Sequence, residues 1–154
     1  MNIDCLFLGK TNENYLEKGI ADFHGRLKRY AHVRIKIVRE RKGWMGDLAR
    51  INTEGRDILD LVEPKSLIVA LDRTGRQLDS DSLAAMLQLW QEQNRRTVSF
   101  IIGGALGLSQ DVVSHADFVL SLSLLTFTHE MARLILLEQL YRAFTIIAGA
   151  NYHK

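Results

Sequence analysis

Two short segments in the last third of the chain combine glycines, small hydroxyls and apolar side chains. The first is Gly-Gly-Ala-Leu-Gly at residues 103–107, directly after an apolar run, and the second is Leu-Ser-Leu-Ser-Leu-Leu-Thr-Phe at residues 120–127. Glycines at the end of a buried strand let a ligand approach the backbone closely. Backbone amides and hydroxyls beside apolar side chains suit a flat ring such as that of an adenosyl group. Together the segments indicate a small-molecule site, while each alone is also consistent with an ordinary strand and turn.

The sequence lacks the motifs of several other kinds of catalytic site. Gly9 is followed by Lys-Thr-Asn rather than by Gly-x-Gly-x-x-Gly, which argues against a standard dinucleotide site. No P-loop and no Gly-x-Ser-x-Gly sequence occurs. The five histidines are scattered, so no metal site is predicted. The single cysteine, Cys5, lies in an apolar run and is expected to be buried, which fits a reducing compartment.

The elements that must position the two segments alternate along the chain. Apolar or alternating runs predict five strands, at residues 3–8, 32–38, 66–71, 97–102 and 118–122. Apolar residues at helical spacing predict helices between them, at about residues 12–30, 47–63, 79–90, 109–115 and 130–147. The third strand is expected to end in a turn at residues 72–75. This alternation predicts an α/β fold: a mostly parallel sheet of about five or six strands with helices on both faces, as one domain of residues 1–154.

The last predicted helix is apolar around its whole circumference. A helix of this kind is buried on all sides. In a domain of 154 residues it cannot be wholly interior, so a second subunit is expected to cover the side facing away from the sheet. Its charged residues Arg133, Glu138 and Arg142 would then lie in or beside that interface and need partners. The pattern therefore predicts a homodimer.

Basic residues are concentrated between Lys18 and Lys42. This segment holds nine Lys or Arg and two acidic residues, although the net charge of the whole chain is only +2. Such a concentration is the footprint expected for a polyanionic partner. A solvated helix face followed by a charged edge strand would give the same pattern. The chain has no basic-then-apolar leader and no apolar run near the ~20 residues of a membrane span, so a cytoplasmic protein without a membrane partner is expected.

The later motifs resemble those of the SPOUT class of knotted methyltransferases, and within it those of the ribosomal RNA large subunit methyltransferase H family. Members have Leu-Asp at the end of the third strand, Ile-Gly-Gly-x-x-Gly after the fourth, Leu-Ser-x-Leu-Thr before the final helix, Glu-Gln-x-Tyr-Arg-Ala within it and Tyr-His after it. This chain carries these motifs at residues 71–72, 102–107, 122–126, 138–143 and 152–153. The resemblance extends over the whole length.

Three positions depart from the family pattern. The family loop usually reads Gly-Gly-Pro-x-Gly, whereas Ala105 follows the glycines here. Asn151 stands where proline is usual, and Glu130 stands where proline or a neutral polar residue is common. Fewer prolines leave the loop and the tail less rigid, which bears on affinity more than on identity.

The resemblance implies a trefoil knot in the C-terminal half, S-adenosylmethionine as the methyl donor and a homodimer. It implies methylation at N3 of a pseudouridine in 23S ribosomal RNA, with the assembled ribosome as substrate. Carried over by position, the cofactor contacts would be Leu71, Gly103, Leu122, Ser123, Leu124, Leu125, Thr126 and Phe127.

Methylation of an imino nitrogen also requires a group that accepts its proton, and a histidine titrates near neutral pH. His153 is the candidate base, Tyr152 would stack on or hold the nucleobase, and Arg142 would stabilise its anion. RNA contacts are expected from Arg39, Arg41, Lys42, Trp44 and Arg133, and no metal is expected. Two alternatives remain: a non-catalytic ribosome- or RNA-associated factor on the same fold, and a flavodoxin-like small-ligand domain.

Overall fold

Five apolar runs form one parallel sheet in the computed structural model, which describes residues 1–152. They are β1 (Asn2–Leu8), β2 (His32–Val38), β3 (Leu67–Gln77), β4 (Thr97–Ile102) and β5 (Phe118–Ser121). The strand order is β2-β1-β4-β3-β5, and every neighbouring pair is parallel. The carboxyl ends of all these strands therefore meet at one edge of the sheet, where ligands bind in open α/β folds. The predicted parallel α/β sheet is confirmed.

Helices cover both faces of the sheet. On one face lie α1 (Asn14–Leu27), α3 (Ser80–Glu92) and α5 (His129–Ile147), and on the other lie α2 (Asp47–Asp60) and α4 (Gln110–His115). The alternation of side chains along β1 supplies both cores: Ile3, Cys5 and Phe7 pack on the first face, and Leu6 and Leu8 on the second. A strand buried on both faces reads as one continuous apolar run, as the sequence of β1 does.

The third strand does not end at the turn predicted for residues 72–75. β3 continues to Gln77, and both Leu71 and Arg76 are aligned with Leu120 of β5, so the residues between them bulge out of the sheet. A Cβ at Gly75 would lie 2.6 Å from the carbonyl oxygen of Val119, so only glycine fits where this bulge passes β5. A turn sequence cannot reveal that pairing resumes after it. The trefoil knot remains a prediction of the family resemblance.

The last helix is buried as its sequence predicts. α5 packs between α1 and α3, and every residue of it is buried or half-buried. Leu136, Leu137 and Leu140 are fully buried. Helices of the same chain supply this cover, so the apolar circumference of α5 does not by itself require a second subunit.

Candidate functional site

A cavity of about 350 Å³ lies at the carboxyl edge of the sheet, beyond β4, β3 and β5. Its walls are the turn at residues 102–108 after β4, the start of the β3 bulge at residues 71–73, the segment at residues 120–127 after β5, and the first turn of α5. The volume falls within the range of about 300–1,000 Å³ that is usual for small-molecule sites. The two segments singled out in the sequence therefore face each other across one cavity.

Seven of the eight residues expected to contact a cofactor line this cavity: Leu71, Gly103, Leu122, Ser123, Leu125, Thr126 and Phe127. Leu124 does not line it, and this residue is 83% exposed. The lining also includes Arg73, Ile102, His129 and Ala132, which are not among the residues predicted to contact a cofactor. Each of these residues lies within a predicted segment or a few positions from one. Their proximity in sequence to those segments could therefore have indicated that they line the same cavity.

The glycine turn closes on itself. The backbone N–H of Gly107 donates to the carbonyl of Gly104 at 3.0 Å, and Gly107 has a φ of +81°, which favours glycine. A Cβ on Gly103 would lie 2.6 Å from the carbonyl oxygen of Gly107. Glycine at position 103 is therefore required by the closure of the turn itself, and not only by the space that a ligand needs.

The opposite wall is shaped by its own hydroxyls. Ser121 Oγ donates to the carbonyl of Ser123 at 3.1 Å, and Ser123 Oγ accepts the N–H of Leu125 at 2.9 Å. Thr128 Oγ1 accepts the N–H of Met131 at 3.2 Å and caps α5. The serine hydroxyls thus fix the course of the segment, whose apolar side chains line the cavity beside Ser123 and Thr126.

His129 gives the cavity its one histidine among the described residues. Burial lowers the pKa of its imidazole below the ordinary 6.5, and the charge of Arg133 lowers it further, against the opposing effect of Glu130 and Glu40. The ring is therefore neutral near pH 7. A neutral imidazole adds no positive charge to this wall of the cavity.

Arg133 lies inside the chain and not on an RNA-facing surface. Its side chain is fully buried and donates to the carbonyl oxygen of Leu8 and to Thr11 Oγ1, the latter at 3.0 Å. Its guanidinium carbon lies 5.2 Å from the ring centre of Phe7, and burial lowers its pKa. The RNA contact expected of Arg133 is at odds with this burial. The sequence could not reveal this burial, because an arginine on a helix gives no sign of which carbonyl group it contacts.

The basic segment divides into structural and exposed parts. Arg34 and Lys36 on the edge strand β2 pair with the fully buried carboxylate of Asp4, at 2.6 Å and 2.9 Å. Arg41 donates two hydrogen bonds to Asp57, at 2.7 Å and 2.9 Å, and so lowers the pKa of that carboxyl. A charged edge strand, the alternative to a polyanionic partner, therefore explains part of the concentration of basic residues between Lys18 and Lys42.

The remaining residues expected to contact RNA are exposed. Arg39 and Lys42 line a groove together with Arg41. The Trp44 side chain is fully exposed. An exposed tryptophan two residues beyond a basic groove is available for stacking on a base.

The two tail-end candidates lie at the far end of α5. Arg142 is thirteen residues beyond His129, which corresponds to about 20 Å along the helix at about 1.5 Å per residue. Within one chain, Arg142 is therefore remote from the cavity. His153, the candidate base, lies outside the described residues.

Glu138 organises this end of the helix. Its carboxylate accepts hydrogen bonds from Arg142 Nε at 3.1 Å and from the Tyr152 hydroxyl at 3.3 Å. The Tyr152 ring packs 4.7 Å from the ring of Tyr141, and the Arg142 guanidinium lies 4.8 Å from the Tyr152 ring centre. Burial and Glu138 raise the pKa of the Tyr152 phenol, so it stays protonated at neutral pH. Tyr152 and Arg142 therefore form one unit around Glu138, although they lie ten positions apart in the sequence.

Two kinds of feature are missing from residues 1–152. No group of three or more His, Cys, Asp or Glu side chains lies close enough together to hold a metal ion. No helix in this range is long and apolar enough to cross a membrane.

Residues 1–153 match the model of a family described as predicted SPOUT methyltransferase. A protein named ribosomal RNA large subunit methyltransferase H from Syntrophotalea carbinolica is 45% identical, over 100% of this chain and 99% of that protein. Proteins of the same name from Desulfotalea psychrophila and Halothermothrix orenii are 41% and 45% identical, each over 100% of both chains. The similarity thus covers the cavity, the basic segment and α5 alike.

Solved structures share the fold at low sequence identity. A probable methylase family protein from Haemophilus influenzae matches with a TM-score of 0.55 and 12% identity, over 99% of this chain and 70% of that chain. TrmJ from Z. mobilis matches with a TM-score of 0.55 and 14% identity, over 93% of this chain and 70% of that chain. These likenesses concern the fold alone.

Proposed function

The chain belongs to the SPOUT methyltransferase family, and we propose that it methylates N3 of a pseudouridine in 23S ribosomal RNA of the assembled ribosome. As a member of this family it is a methyl-transferring enzyme. The observation that carries the substrate is the full-length identity of 41–45% to proteins named ribosomal RNA large subunit methyltransferase H. Because the proposed substrate is the ribosome, we also propose that the protein acts in the cytoplasm. We propose that residues 1–154 form a single domain.

The methyl donor in this proposal is S-adenosylmethionine, bound in the cavity at the carboxyl edge. The apolar side chains of Leu71, Leu122 and Leu125 suit a flat purine ring, and the three glycines of the closed turn at residues 103–107 present backbone groups without side chains. When bound, this cofactor supplies a methyl group on a positively charged sulfonium. The neutral His129 ring suits a site for such a cation, since it adds no repulsion.

The active unit we propose is a homodimer with a site shared between subunits. In one chain the cavity and the unit formed by Arg142 and Tyr152 lie at opposite ends of α5, so they can meet only across a subunit boundary. The exposed apolar residues beside the cavity support this arrangement: Leu106, Leu124, Leu125 and Phe127 are 37%, 83%, 74% and 38% exposed. In a dimer with two-fold symmetry, this patch would be buried on both subunits.

In the shared site, residues near the chain end act on the nucleobase. Arg142 would stabilise the anionic base, Tyr152 would stack on it, and His153 would accept the N3 proton. The role of Glu138 is then to hold Arg142 and Tyr152 as one unit. Trp44 and the exposed residues of the basic segment would contact the RNA outside the site.

The test is transfer of labelled methyl from S-adenosylmethionine to ribosomes from cells that lack this activity, followed by mapping of the modified base. We expect one methyl group at N3 of a single pseudouridine in the large subunit. A protein that binds ribosomes without any response to S-adenosylmethionine would instead be a non-catalytic factor on the same fold. A bound phosphate ligand without salt-dependent RNA binding would favour the flavodoxin-like alternative.

A further inference from the structure

A second concave surface lies along the same edge of the sheet, at the carboxyl ends of β1 and β2. This groove has a volume of about 790 Å³ and is bounded by the loop from Gly9 to Asn12 and by residues 37–42. Strands in a sheet lie about 4.8 Å apart, so the groove is about two or three strand spacings, or 10–15 Å, from the cofactor cavity. A nucleic-acid strand that presents one nucleotide to the cavity is long enough to pass through the groove.

The groove presents cations that the protein itself does not neutralise. Lys10, Arg39 and Lys42 line it and are exposed, and within residues 1–152 none of the three forms an ion pair. Arg41 also lines the groove, but Asp57 already binds its guanidinium, and Glu54 accepts its backbone N–H at 2.8 Å. A concave surface with low-dielectric walls focuses the potential of such charges.

One carboxylate, that of Glu40, lies in the groove. Glu40 Oε2 would be 3.2 Å from a Cβ on Gly9, so the carboxylate lies against the backbone of the β1–α1 loop. Its charge partly opposes the lowering of the pKa values of His129 and Arg133, in line with a position on the side of the groove toward the first turn of α5. The three free cations thus exceed the acidic charge of the groove.

The loop that carries Lys10 is held in place by α5. Glu130 accepts the N–H groups of Asn12 and Glu13, and Arg133 donates to Leu8 and Thr11 on either side of Lys10. The groove wall is therefore fixed before any ligand arrives, and a fixed wall lowers the ordering cost of binding.

We propose that this groove binds the sugar–phosphate backbone of the substrate RNA beside the nucleotide that is methylated, with Lys10, Arg39 and Lys42 contacting phosphates. Arg41 is a structural residue in this assignment. The proposal rests on the proposed function and adds Lys10, which the charge pattern between residues 18 and 42 does not include. These contacts would contribute to the affinity for RNA but not to the selection of the methylated base, because phosphates are the same at every nucleotide.

The experiment compares two triple variants that remove the same charge. Lys10→Gln/Arg39→Gln/Lys42→Gln alters the groove, and Arg29→Gln/Arg95→Gln/Arg96→Gln alters exposed cations near the opposite, amino-terminal edge of the sheet. Binding to assembled ribosomes and to protein-free 23S ribosomal RNA is measured as a function of salt, and S-adenosylmethionine binding is measured by calorimetry. Arg41→Gln is a single-site control.

We expect the groove variant to bind both RNA targets more weakly and to lower the salt slope by about two, given about 0.7 per phosphate contact on a single strand. Its affinity for S-adenosylmethionine and the methylated position should not change. Arg41→Gln should leave the salt slope as it is. Equal losses in the two triple variants, or no loss in the groove variant, would overturn the assignment.

Two further outcomes separate this proposal from its neighbours. A loss confined to ribosomes, with unchanged binding to protein-free RNA, would mean that the groove contacts a ribosomal protein, and would also overturn it. Failure of the unaltered protein to methylate ribosomes would refute the proposed function. The salt slopes would still decide whether the groove binds RNA.

Discussion

The carboxylate of Glu130, in the first turn of α5, accepts the backbone N–H of Asn12, which lies 118 positions earlier in the chain. A second oxygen of the same group accepts the N–H of Glu13 at 3.3 Å. Glu13 is the N-cap of α1 and makes no side-chain cap bond of its own. The first turn of α5 thus holds the two residues that lead into α1.

Glu130→Gln is expected to destabilise the protein by about 1–3 kcal/mol, because an amide nitrogen cannot accept and one part-buried N–H loses its charged acceptor. The substitution also removes the acid that most raises the pKa of the buried Arg133. Urea unfolding with linear extrapolation measures the change. Glu17→Gln, an exposed carboxylate in the first turn of α1, is the control and should cost no more than about 0.5 kcal/mol. A Glu130→Gln variant as stable as this control would mean that the contact contributes nothing.

Gly103→Ala is expected to weaken S-adenosylmethionine binding by about tenfold or more, equal to about 1.4 kcal/mol. The added Cβ would meet the Gly107 carbonyl at 2.6 Å, so the turn that forms one wall of the cavity must open. Calorimetric titration checks this. Gly25→Ala in α1, where a Cβ meets no atom within 4 Å, is the matched control and should leave the affinity unchanged. Full affinity in Gly103→Ala would locate the cofactor elsewhere.

The sequence predicts the elements of this fold well and their long-range contacts poorly. Apolar runs such as that of β1 identify the strands because both sheet faces are buried, and the residues of α5 identify a helix covered on all sides. The alternation does not reveal that β3 resumes pairing with β5 at Arg76, since that depends on the neighbouring strand. Periodicity is a local property, whereas pairing is not.

The candidate site shows the same difference between local features, which the sequence predicts, and long-range contacts, which it does not. Seven predicted cofactor residues meet at one cavity because parallel strands end at one edge of the sheet. Arg133 could not be assigned from its sequence, since its partners Leu8 and Thr11 lie at the other end of the chain. For the same reason the charge pattern could not separate Arg41, which is bound by Asp57, from the free Arg39 and Lys42.

S-adenosylmethionine affinity is expected to fall as pH drops below about 6.5, the ordinary pKa of histidine. Burial lowers the pKa of His129 in the folded protein, so the ring is neutral above that value and gains its proton only at lower pH. Protonation then places a cation beside a cationic ligand. Calorimetry from pH 5 to 8 measures the effect, and His129→Gln should remove it. An unchanged pH profile in this variant would show that another group titrates.

The same shift predicts a loss of folding stability on the acid side. Because the folded pKa of His129 lies below the unfolded value, the unfolded chain binds the proton more readily. The contribution of this residue is therefore complete above about pH 6.5 and is lost as the pH falls toward the folded pKa. The difference in unfolding free energy between the unaltered protein and His129→Gln, followed from pH 8 to 5, isolates this contribution.

Tyr152→Ala is expected to lower methyl transfer strongly while S-adenosylmethionine binding changes little. The substitution removes both the ring that packs on Tyr141 and Arg142 and the hydroxyl that donates to Glu138. Tyr152→Phe removes only the hydroxyl and should retain more activity, since stacking on a base needs the ring. Single-turnover rates with saturating cofactor distinguish the two variants. Equal losses in both would assign the whole effect to the hydroxyl.

A mixture of two inactive variants should regain activity if the site is shared between subunits. A chain ending at Asn151 lacks Tyr152 and His153, and its methyl transfer should fall by about 10²–10⁴-fold, the usual cost of losing a positioned base. Gly103→Val places a larger side chain in the closed turn than Gly103→Ala does and is expected to abolish cofactor binding. In a mixed dimer, the intact cavity of the shortened chain meets the intact tail of the Gly103→Val chain, so one site per dimer works. Random pairing then restores about a quarter of the unaltered activity. If cavity and tail act within one chain, the mixture stays as inactive as its components, and the shared site is refuted while the methyltransferase assignment stands.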